Sequence, residues 1–296
     1  MQISLRTKKR LEIGLIYLVL IVITMVVIFP LYWTFVTAFK EPRDAFTFPP
    51  KYIPYLQFQP TLYAWRDVGL LPSIGDERGT HSSAQILGTL WNSILIAVGS
   101  TVVSVILGSL AAYALVQFRF RRWSNKNISF FILSQRMLPP IVLVIPYFIL
   151  YRSLSLLDTV PGMIMAHTVA SLPFVVWIMK SFFSGIPKEL VDSARIDGCS
   201  YFGAFLKIIL PLSLPGLAAT SVFTTIFSWN ELLFAITLTF NKARTFPALI
   251  AGLTHGSAAL WWDISAMLLV SMVPVFLFTL LFQRYIVSGL TLGAIK

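Results

Sequence analysis

The chain has 296 residues, of which 57% are hydrophobic and only 12% are charged. This composition is too apolar for a soluble domain and indicates a polytopic membrane protein. The formal net charge of +11 would suggest a nucleic-acid ligand in a soluble protein, but the basic residues here lie in loops beside apolar runs, so we expect no nucleic acid. The single cysteine, Cys199, excludes a disulfide within the chain.

Six apolar runs are each long enough to cross a hydrocarbon core of about 30 Å as a helix. The runs are continuous and do not alternate with polar residues, so they predict helices and not a barrel. We therefore predict an all-α, polytopic membrane protein with six transmembrane helices in one domain at 13–296, after a short N-terminal segment at 1–12. The predicted spans are 13–36, 88–116, 128–151, 160–180, 208–238 and 264–287.

Lys and Arg are concentrated in short segments on one side of the predicted bundle. These segments are 6–10, before the first span, 119–126, after the second, and 180–207, after the fourth. Short basic loops remain in the cytoplasm. We therefore predict that both termini and the loop at 186–207 are cytoplasmic.

The long loop at 37–87 is then external, and it is rich in proline and aromatic residues. Two interpretations of this loop are open. It is either a docking surface for an external protein or a segment packed on the membrane interface, where Tyr and Trp also gather.

The third predicted span contains Arg136, followed by Pro139 and Pro140. A charged side chain within a membrane is costly and usually functional, and paired prolines break or kink a helix. Together they predict a bent helix that lines a polar path. The alternative is that Arg136 pairs with a polar group of a neighbouring span and serves only to hold the bundle together.

His167 in the fourth span has no partners at metal-ligand spacing, so we interpret it as a hydrogen-bonded packing residue. The fifth span contains Trp229, Asn230 and Glu231. In a straight helix Asn230 would lie about 33 Å beyond Ile208, near the external mouth. Three roles are open for this cluster: a contact to an external protein, part of an outer gate, or helix packing.

Between the fourth and fifth spans, residues 186–212 form a polar, charged insert. Pro187 is acceptable in the first turn of a helix, so we predict a short helix from this point. Gly198 then predicts a C-cap or a bend, and a second short helix is predicted over 201–207. The insert is therefore expected to be a helix–turn–helix element on the cytoplasmic side.

The spacing of Lys188, Asp192 and Arg195 allows ion pairs on the surface of the first of these helices. Its narrow apolar face is predicted to comprise Leu190, Val191 and Ala194.

This insert resembles the EAA loop of ABC-importer permeases, whose pattern is E-A-A-x3-G-x9-I-x-L-P. Asp for Glu and Ser for Ala are its two departures from that pattern. The RMLPP string of the third span and the WNE string of the fifth resemble the maltose-type carbohydrate subgroup of the same family. The matching positions in the insert are Asp192, Ser193, Ala194, Gly198, Ile208, Leu210 and Pro211, and the flanking residues that fit the subgroup include Glu189 and Asp197.

The resemblance implies the type I ABC-importer permease fold, in a multi-pass protein of a bacterial plasma (inner) membrane. Beside a second permease subunit, the chain would form half of a pathway for a sugar, glycoside or polyol. An external binding protein would deliver the solute. A partner ATPase dimer would bind ATP and Mg, so no cofactor is expected in this chain, and the lipid bilayer would surround it.

In that family the insert is the coupling helix that docks on the ATPase, so the positions named above are expected to couple ATP hydrolysis to transport. The C-terminal tail is also similar to that of maltose-type importers, which implies that Gly289, Gly293 and Lys296 reach the ATPase dimer. The candidates for the pathway or gate are Arg136, Pro139, Pro140, Trp229, Asn230 and Glu231.

The sequence contains neither the G-x4-G-K-[ST] phosphate loop of an ATPase nor the H-E-x-x-H motif of a zinc protease. We therefore expect a transport subunit and not an enzyme. The alternative from another functional class is a multispan channel, or an intramembrane enzyme, that is regulated through its cytoplasmic loop.

Overall fold

The computed structural model describes residues 5–72, 82–254 and 259–291, with side chains at 12–72, 82–254 and 259–283. Within these ranges the chain forms helices and no strand, apart from one isolated bridge between Pro54 and Phe58. The prediction of an all-α membrane protein is confirmed. The helices of six residues or more, numbered in chain order, are α1 Leu5–Thr37, α2 Ser83–Gln117, α3 Asn125–Met137, α4 Pro140–Ser153, α5 Val160–Ser184, α6 Glu189–Ile196, α7 Tyr201–Leu212, α8 Leu214–Trp229, α9 Leu233–Leu238, α10 Phe246–Ala251 and α11 Trp261–Thr291.

Four helical stretches of the described chain are each long and apolar enough to cross a membrane. Two further pairs of helices qualify only as pairs, because α3 and α4 meet at a 92° bend and α7 and α8 at a 79° bend. The chain therefore has up to six spans if each bent pair counts as one. The four single stretches are Glu12–Thr37, Ser83–Gln117, Val160–Ser184 and Trp261–Gln283.

The 92° bend lies at the paired prolines. Leu138 precedes Pro139 and has the extended conformation that a following proline favours, with φ −70° and ψ 124°. Pro140 then occupies the first turn of α4, where its missing N–H is not needed. Two adjacent residues without an N–H therefore end one helix and start the next in a new direction.

The 79° bend lies at Ser213 and corrects one expectation from the sequence. The distance of about 33 Å between Ile208 and Asn230 required a straight helix. That estimate is wrong because the chain turns between α7 and α8, and it leaves helical structure again at Asn230. Pro215 in the first turn of α8 lacks the N–H that would continue the ladder across the bend.

Contacts divide the chain into two units, of which the larger comprises Ala84–Gly252 and Ser271–Lys296. Its main apolar core joins α2, α5, α6 and α7. Glycines allow close approach of α2 and α8 to α5: a Cβ on Gly108 would lie 2.5 Å from Val175, and one on Gly216 would lie 2.5 Å from Phe182. The insert between the fourth and fifth predicted spans, which forms α6 and α7, is thus packed directly on the membrane helices α2 and α5.

The smaller unit comprises Met1–Ser83 and Leu253–Val270. Its apolar cluster is built around Ala38, Ala64, Trp262 and Ala266. The most apolar part of α1 has no buried side chain in the described part of the chain. That surface is therefore available to lipid or to another protein.

Lys40, just after α1, is buried rather than part of a solvated loop, with 1% of its surface exposed. Its Nζ lies 4.0 Å from the ring centre of Trp33 and 5.4 Å from that of Phe58, as in cation–π contacts. Burial lowers the pKa of Lys40, against the opposing effect of the nearby Asp44 carboxylate. The segment after α1 therefore has a defined local structure.

Candidate functional site

The polar insert forms two helices that meet at a glycine turn. The first helix begins at Glu189, two residues later than the predicted start at Pro187, because the chain is still turning after the end of α5. Gly198 has φ +85°, a conformation that favours glycine. Its N–H donates to the Arg195 carbonyl at 3.2 Å, and the next N–H donates to the Ala194 carbonyl at 2.9 Å. This pair of hydrogen bonds is the Schellman C-cap.

The side chain of Arg195, in α6, contacts residues that follow the turn. Its Nη1 donates to the carbonyl oxygen of Cys199 at 3.0 Å, and its guanidinium carbon lies 4.3 Å from the ring centre of Tyr201. The ion pairs that the spacing of Asp192 with Lys188 and Arg195 allows do not form among the described residues. Arg195 instead bridges α6 and α7.

The inner face of the insert is anchored to the membrane helices. Val191 and Ala194 are buried in the same cluster as Phe183 of α5 and Phe205 of α7. Tyr113 of α2 donates through its hydroxyl to the carbonyl oxygen of Tyr201 at 3.0 Å. The insert is therefore in direct contact with α2 and α5.

The outer face of the insert exposes apolar side chains. Ile196 is 87% exposed and Phe202 is 59% exposed. Leu190, predicted to share the face of Val191 and Ala194, is 42% exposed, so only two of those three residues are buried. Because α6 is covered on one side only, Leu190 belongs to the uncovered side. Glu189, Asp192, Ser193 and Asp197 are also exposed, whereas Ala194 is not.

The residues that match the end of the EAA pattern lie in α7, just before the bend at Ser213. Ile208 packs against the core joined by α2, α5 and α6, as does Leu210, whereas Pro211 is exposed just before Ser213. Residues 205–209 form a five-residue π-helical stretch within α7. Such a stretch widens the helix locally and is frequent at functional sites.

A buried polar cluster joins three helical segments of the larger unit. Ser100 of α2 donates to Ser228 Oγ at 3.0 Å, and Ser228 Oγ lies 2.6 Å from His167 Nδ1. The other ring nitrogen of His167, Nε2, lies 3.3 Å from Glu231 Oε2. His167 is therefore a packing residue with polar partners, as interpreted from the sequence, and Ser228 is a partner that the sequence did not reveal.

Glu231 has a second role at the start of α9. Its carboxylate accepts from the N–H groups of Phe234 at 2.9 Å and Ala235 at 3.2 Å, which otherwise lack partners at a helix start. The other two residues of the predicted cluster point elsewhere. Trp229 is buried and donates to Ser271 Oγ at 3.3 Å, and Asn230 is exposed and donates to the Ile226 carbonyl at 2.8 Å.

Arg136 lies at the end of α3, beside the bend at Pro139 and Pro140. Its Nη1 donates to the carbonyl oxygen of Ala170 in α5 at 3.1 Å, and its guanidinium carbon lies 4.8 Å from the ring centre of Phe227. The structure therefore gives Arg136 the neighbouring-span contact that was one of its two sequence-based interpretations.

Asp158 was not singled out from the sequence. Its carboxylate accepts hydrogen bonds of 3.0 to 3.2 Å from the consecutive backbone N–H groups of residues 240–243, which connect α9 to α10. Partial burial would raise the pKa of Asp158, but these hydrogen bonds favour the charged form and together hold its pKa below the usual value. Asp158 thereby fixes the connection between two helices.

The C-terminal prediction falls largely outside the described residues. Gly289 lies within α11, whereas Gly293 and Lys296 lie beyond the described range. Their predicted role at an ATPase stays a prediction.

The structure thus combines two bent helix pairs, a buried polar cluster between spans and an insert packed on α2 and α5, which is the architecture of a polytopic helical membrane protein. The family described as "Binding-protein-dependent transport system inner membrane component" matches residues 104–291, more than half of the chain. The chain belongs to this family. The resemblance to ABC-importer permeases is confirmed, and the protein is a multi-pass inner-membrane permease subunit.

Two curated relatives and one solved structure agree with this assignment. The trehalose transport system permease protein SugB of Mycobacterium tuberculosis is 38% identical over 78% of this chain and 86% of that protein. The trehalose/maltose transport system permease protein MalG of Thermococcus litoralis is 35% identical over 93% of this chain and 94% of that protein. A bacterial ABC transporter involved in the import of the acidic polysaccharide alginate shares the fold, with a TM-score of 0.72 at 20% identity over 96% of this chain and 99% of that chain.

Proposed function

We propose that this permease forms half of the translocation pathway of an ATP-driven importer for a sugar, glycoside or polyol. The names of the relatives support the carbohydrate class, because they include transport systems for trehalose and for trehalose or maltose. The other half of the pathway is supplied by a second permease subunit. An external binding protein delivers the solute to the pair.

The observation that carries this proposal is the geometry of the hinged insert. Its inner side is fixed to α2 and α5 through Val191, Ala194 and Phe205, and its outer side exposes Ile196 and Phe202. Exposed apolar side chains on a rigid element favour burial against another protein. The surface fits a partner ATPase dimer that binds ATP and Mg.

The mechanism follows from these contacts. Closure of the ATPase dimer displaces the insert, and the packed aromatic and aliphatic side chains transmit this displacement to the membrane helices. The breaks between α3 and α4 and between α7 and α8 divide two spans into segments that can reorient separately. Solute then passes from the external side to the cytoplasm.

The proposed orientation places both termini and the insert in the cytoplasm, where the ATPase lies. The basic residues of the short segments support it. The C-terminal residues Gly289, Gly293 and Lys296 then lie on the ATPase side as well, and the segment after α1 lies on the side of the binding protein.

Co-purification tests the proposal. The affinity-tagged chain, expressed with its companion subunits, should retain an ATPase whose activity rises when the loaded binding protein is added. A thermal-shift screen of that binding protein against glycosides and polyols should identify the solute. Transport by the purified chain alone, or an assembly in which the insert contacts no other subunit, would contradict the proposal.

A further inference from the structure

A cleft with a volume of about 270 Å³ opens between α3, α5 and α8. It brings a guanidinium and three phenyl rings together within membrane-spanning segments. A charged side chain there is costly unless it finds partners, so its surroundings indicate what it binds. The lining includes Arg136, Ser171, Phe174, Phe223, Thr224 and Phe227.

Arg136 keeps unused hydrogen-bonding capacity. The bond from its Nη1 to the Ala170 carbonyl is its one hydrogen bond within the described residues, where it forms no ion pair. A guanidinium carries several N–H donors and stays charged in proteins. Most of those donors therefore remain for an acceptor that enters the cleft.

Two hydroxyl groups lie in the wall of the cleft. Ser171 Oγ donates to the His167 carbonyl, and Thr224 Oγ1 donates to the Thr220 carbonyl, each at 2.8 Å. Ser171 is 3% exposed and Thr224 is 1% exposed, so both hydroxyls serve their own helices and are closed to a solute. Among the lining residues, the guanidinium of Arg136 is therefore the polar group that the cleft offers.

The phenyl rings supply the apolar part of the lining. Phe174 and Phe223 meet edge to face, with ring centres 6.1 Å apart and planes at 80°. Phe223 is 43% exposed and Phe227 is 37% exposed, so their surfaces are accessible from the cleft. Aromatic faces of this kind attract C–H groups and flat apolar surfaces.

We propose that this cleft is a solute subsite that binds the ring of a carbohydrate during its passage, an inference that rests on the proposed importer function. A sugar ring carries C–H groups on its faces and hydroxyl groups around its rim. The faces pack on Phe223 and Phe227, and the hydroxyl oxygens of the rim accept from Arg136. A lipid acyl chain would match the phenyl rings but would leave the guanidinium donors without acceptors.

The test uses the complete importer in proteoliposomes, with its binding protein saturated by radiolabelled trehalose or maltose. Sugar taken up and ATP hydrolysed are measured together. Arg136→Gln should lower the sugar moved per ATP on the order of tenfold, because hydrogen bonds to a charged group are lost. Phe227→Leu should lower it about threefold, and Arg136→Lys should be intermediate because it keeps the charge but loses the planar fork.

Arg152→Gln is the matched control, since Arg152 is an exposed arginine at the end of α4, outside the cleft, and should leave uptake per ATP unchanged. Unchanged uptake per ATP in Arg136→Gln overturns the subsite. Equal losses of uptake and ATPase activity in Arg136→Gln, with a lower melting temperature of the assembly, also overturn the subsite. Such a result would show that Arg136 only stabilises the fold. A wild-type assembly that takes up none of the glycosides and polyols of the thermal-shift screen refutes the proposed importer function itself, which is a different result.

Discussion

The carboxylate of Asp158 illustrates, at the scale of single residues, how a side chain can organise backbone that is remote in sequence. It lies before α5, yet it satisfies successive N–H groups of the connection between α9 and α10. Asn92 of α2 reaches the same connection and donates to the carbonyl oxygens of Lys242 and Arg244. This connection is therefore held from two sides by polar contacts.

Asp158→Asn should lower the free energy of unfolding by about 1–3 kcal/mol, because hydrogen bonds to a charged acceptor are replaced by weaker ones. The measurement is thermal unfolding of the solubilised chain at neutral pH. Glu41→Gln is the control, because Glu41 pairs with the exposed Arg43 at the surface and a surface ion pair contributes little. Equal melting temperatures for Asp158→Asn and the wild type would contradict the prediction.

The same residue predicts a dependence on pH. The pKa of Asp158 is lowered in the folded protein, so its stabilisation is fully present above the usual Asp pKa of about 3.9. The stabilisation is lost as the pH falls through the lower, folded-state pKa. The stability difference between wild type and Asp158→Asn should therefore narrow on acidification below about pH 4, and a constant difference would be evidence against this account.

Single residues also mark the limit of sequence reasoning. Arg136, Glu231 and Gly198 could be selected because a charge or a glycine in their positions is informative by itself. Asp158 and Ser228 could not, because their roles depend on which distant groups the fold brings within hydrogen-bond distance. The burial of Lys40 between two aromatic rings could not be predicted either, for the same reason.

At the scale of elements, the turn at Gly198 sets the angle between α6 and α7. No atom lies within 4 Å of a Cβ built on Gly198, so its positive φ and not a lack of space requires glycine. Gly198→Val should uncouple transport from ATP hydrolysis, because a β-branched residue is strongly disfavoured at φ +85°. Gly198→Asn should retain much of the transport, because Asn tolerates this conformation.

Both Gly198 variants are assayed for membrane insertion, ATPase stimulation by the binding protein, and solute uptake. Similar uptake by Gly198→Val and the wild type would refute a role for this turn in coupling. If Gly198→Val alone fails to insert into the membrane, the defect lies in folding. The role of the turn is then tested by comparing uptake per ATP in Gly198→Asn with that of the wild type.

The outer face of α6 gives a second prediction at this scale. Ile196→Asp should reduce ATPase retention during purification on the order of tenfold or more, because burying an isoleucine side chain typically contributes about 1.5–3 kcal/mol. Leu154→Asp is the matched control: Leu154 is also an exposed apolar residue, 55% exposed, but it lies after α4 and outside the insert. Equal ATPase retention in the two variants would show that α6 is not the contact surface.

The two bent pairs show what sequence can and cannot specify about an element. Paired prolines at 139 and 140 predicted the bend between α3 and α4. The bend at Ser213 was not predicted, because prolines near a helix start are compatible with a straight helix. The direction of α8 depends instead on tertiary contacts, such as the close approach of Gly216 to Phe182.

At the scale of the whole molecule, the sequence specified the fold class well. Long apolar runs and short basic segments are properties of composition along the chain, so they do not require knowledge of contacts. The segment after α1 could not be predicted, because its short helical turns at Pro42–Ala45 and Tyr63–Asp67 are fixed by contacts between residues distant in sequence.

The orientation of the whole molecule can be tested with its single cysteine. Cys199 is partly exposed, so an impermeant maleimide should label it in inside-out vesicles and not in sealed cells. Gln59→Cys in a Cys199→Ser background is the control and should show the opposite pattern, because Gln59 is exposed in the segment after α1. Labelling of Cys199 from outside sealed cells would reverse the proposed topology.

The interrupted helices have a consequence for hydration. Pro139 and Pro140 have no N–H, so the carbonyl oxygens of Gln135 and Arg136 lack the donors that a continuous helix would provide four residues later. A carbonyl group in an apolar medium needs another partner, and water is the smallest one available. We therefore expect water molecules beside this break even when no solute is present. The assembled complex must then control the permeation of water and ions as well as of its cargo.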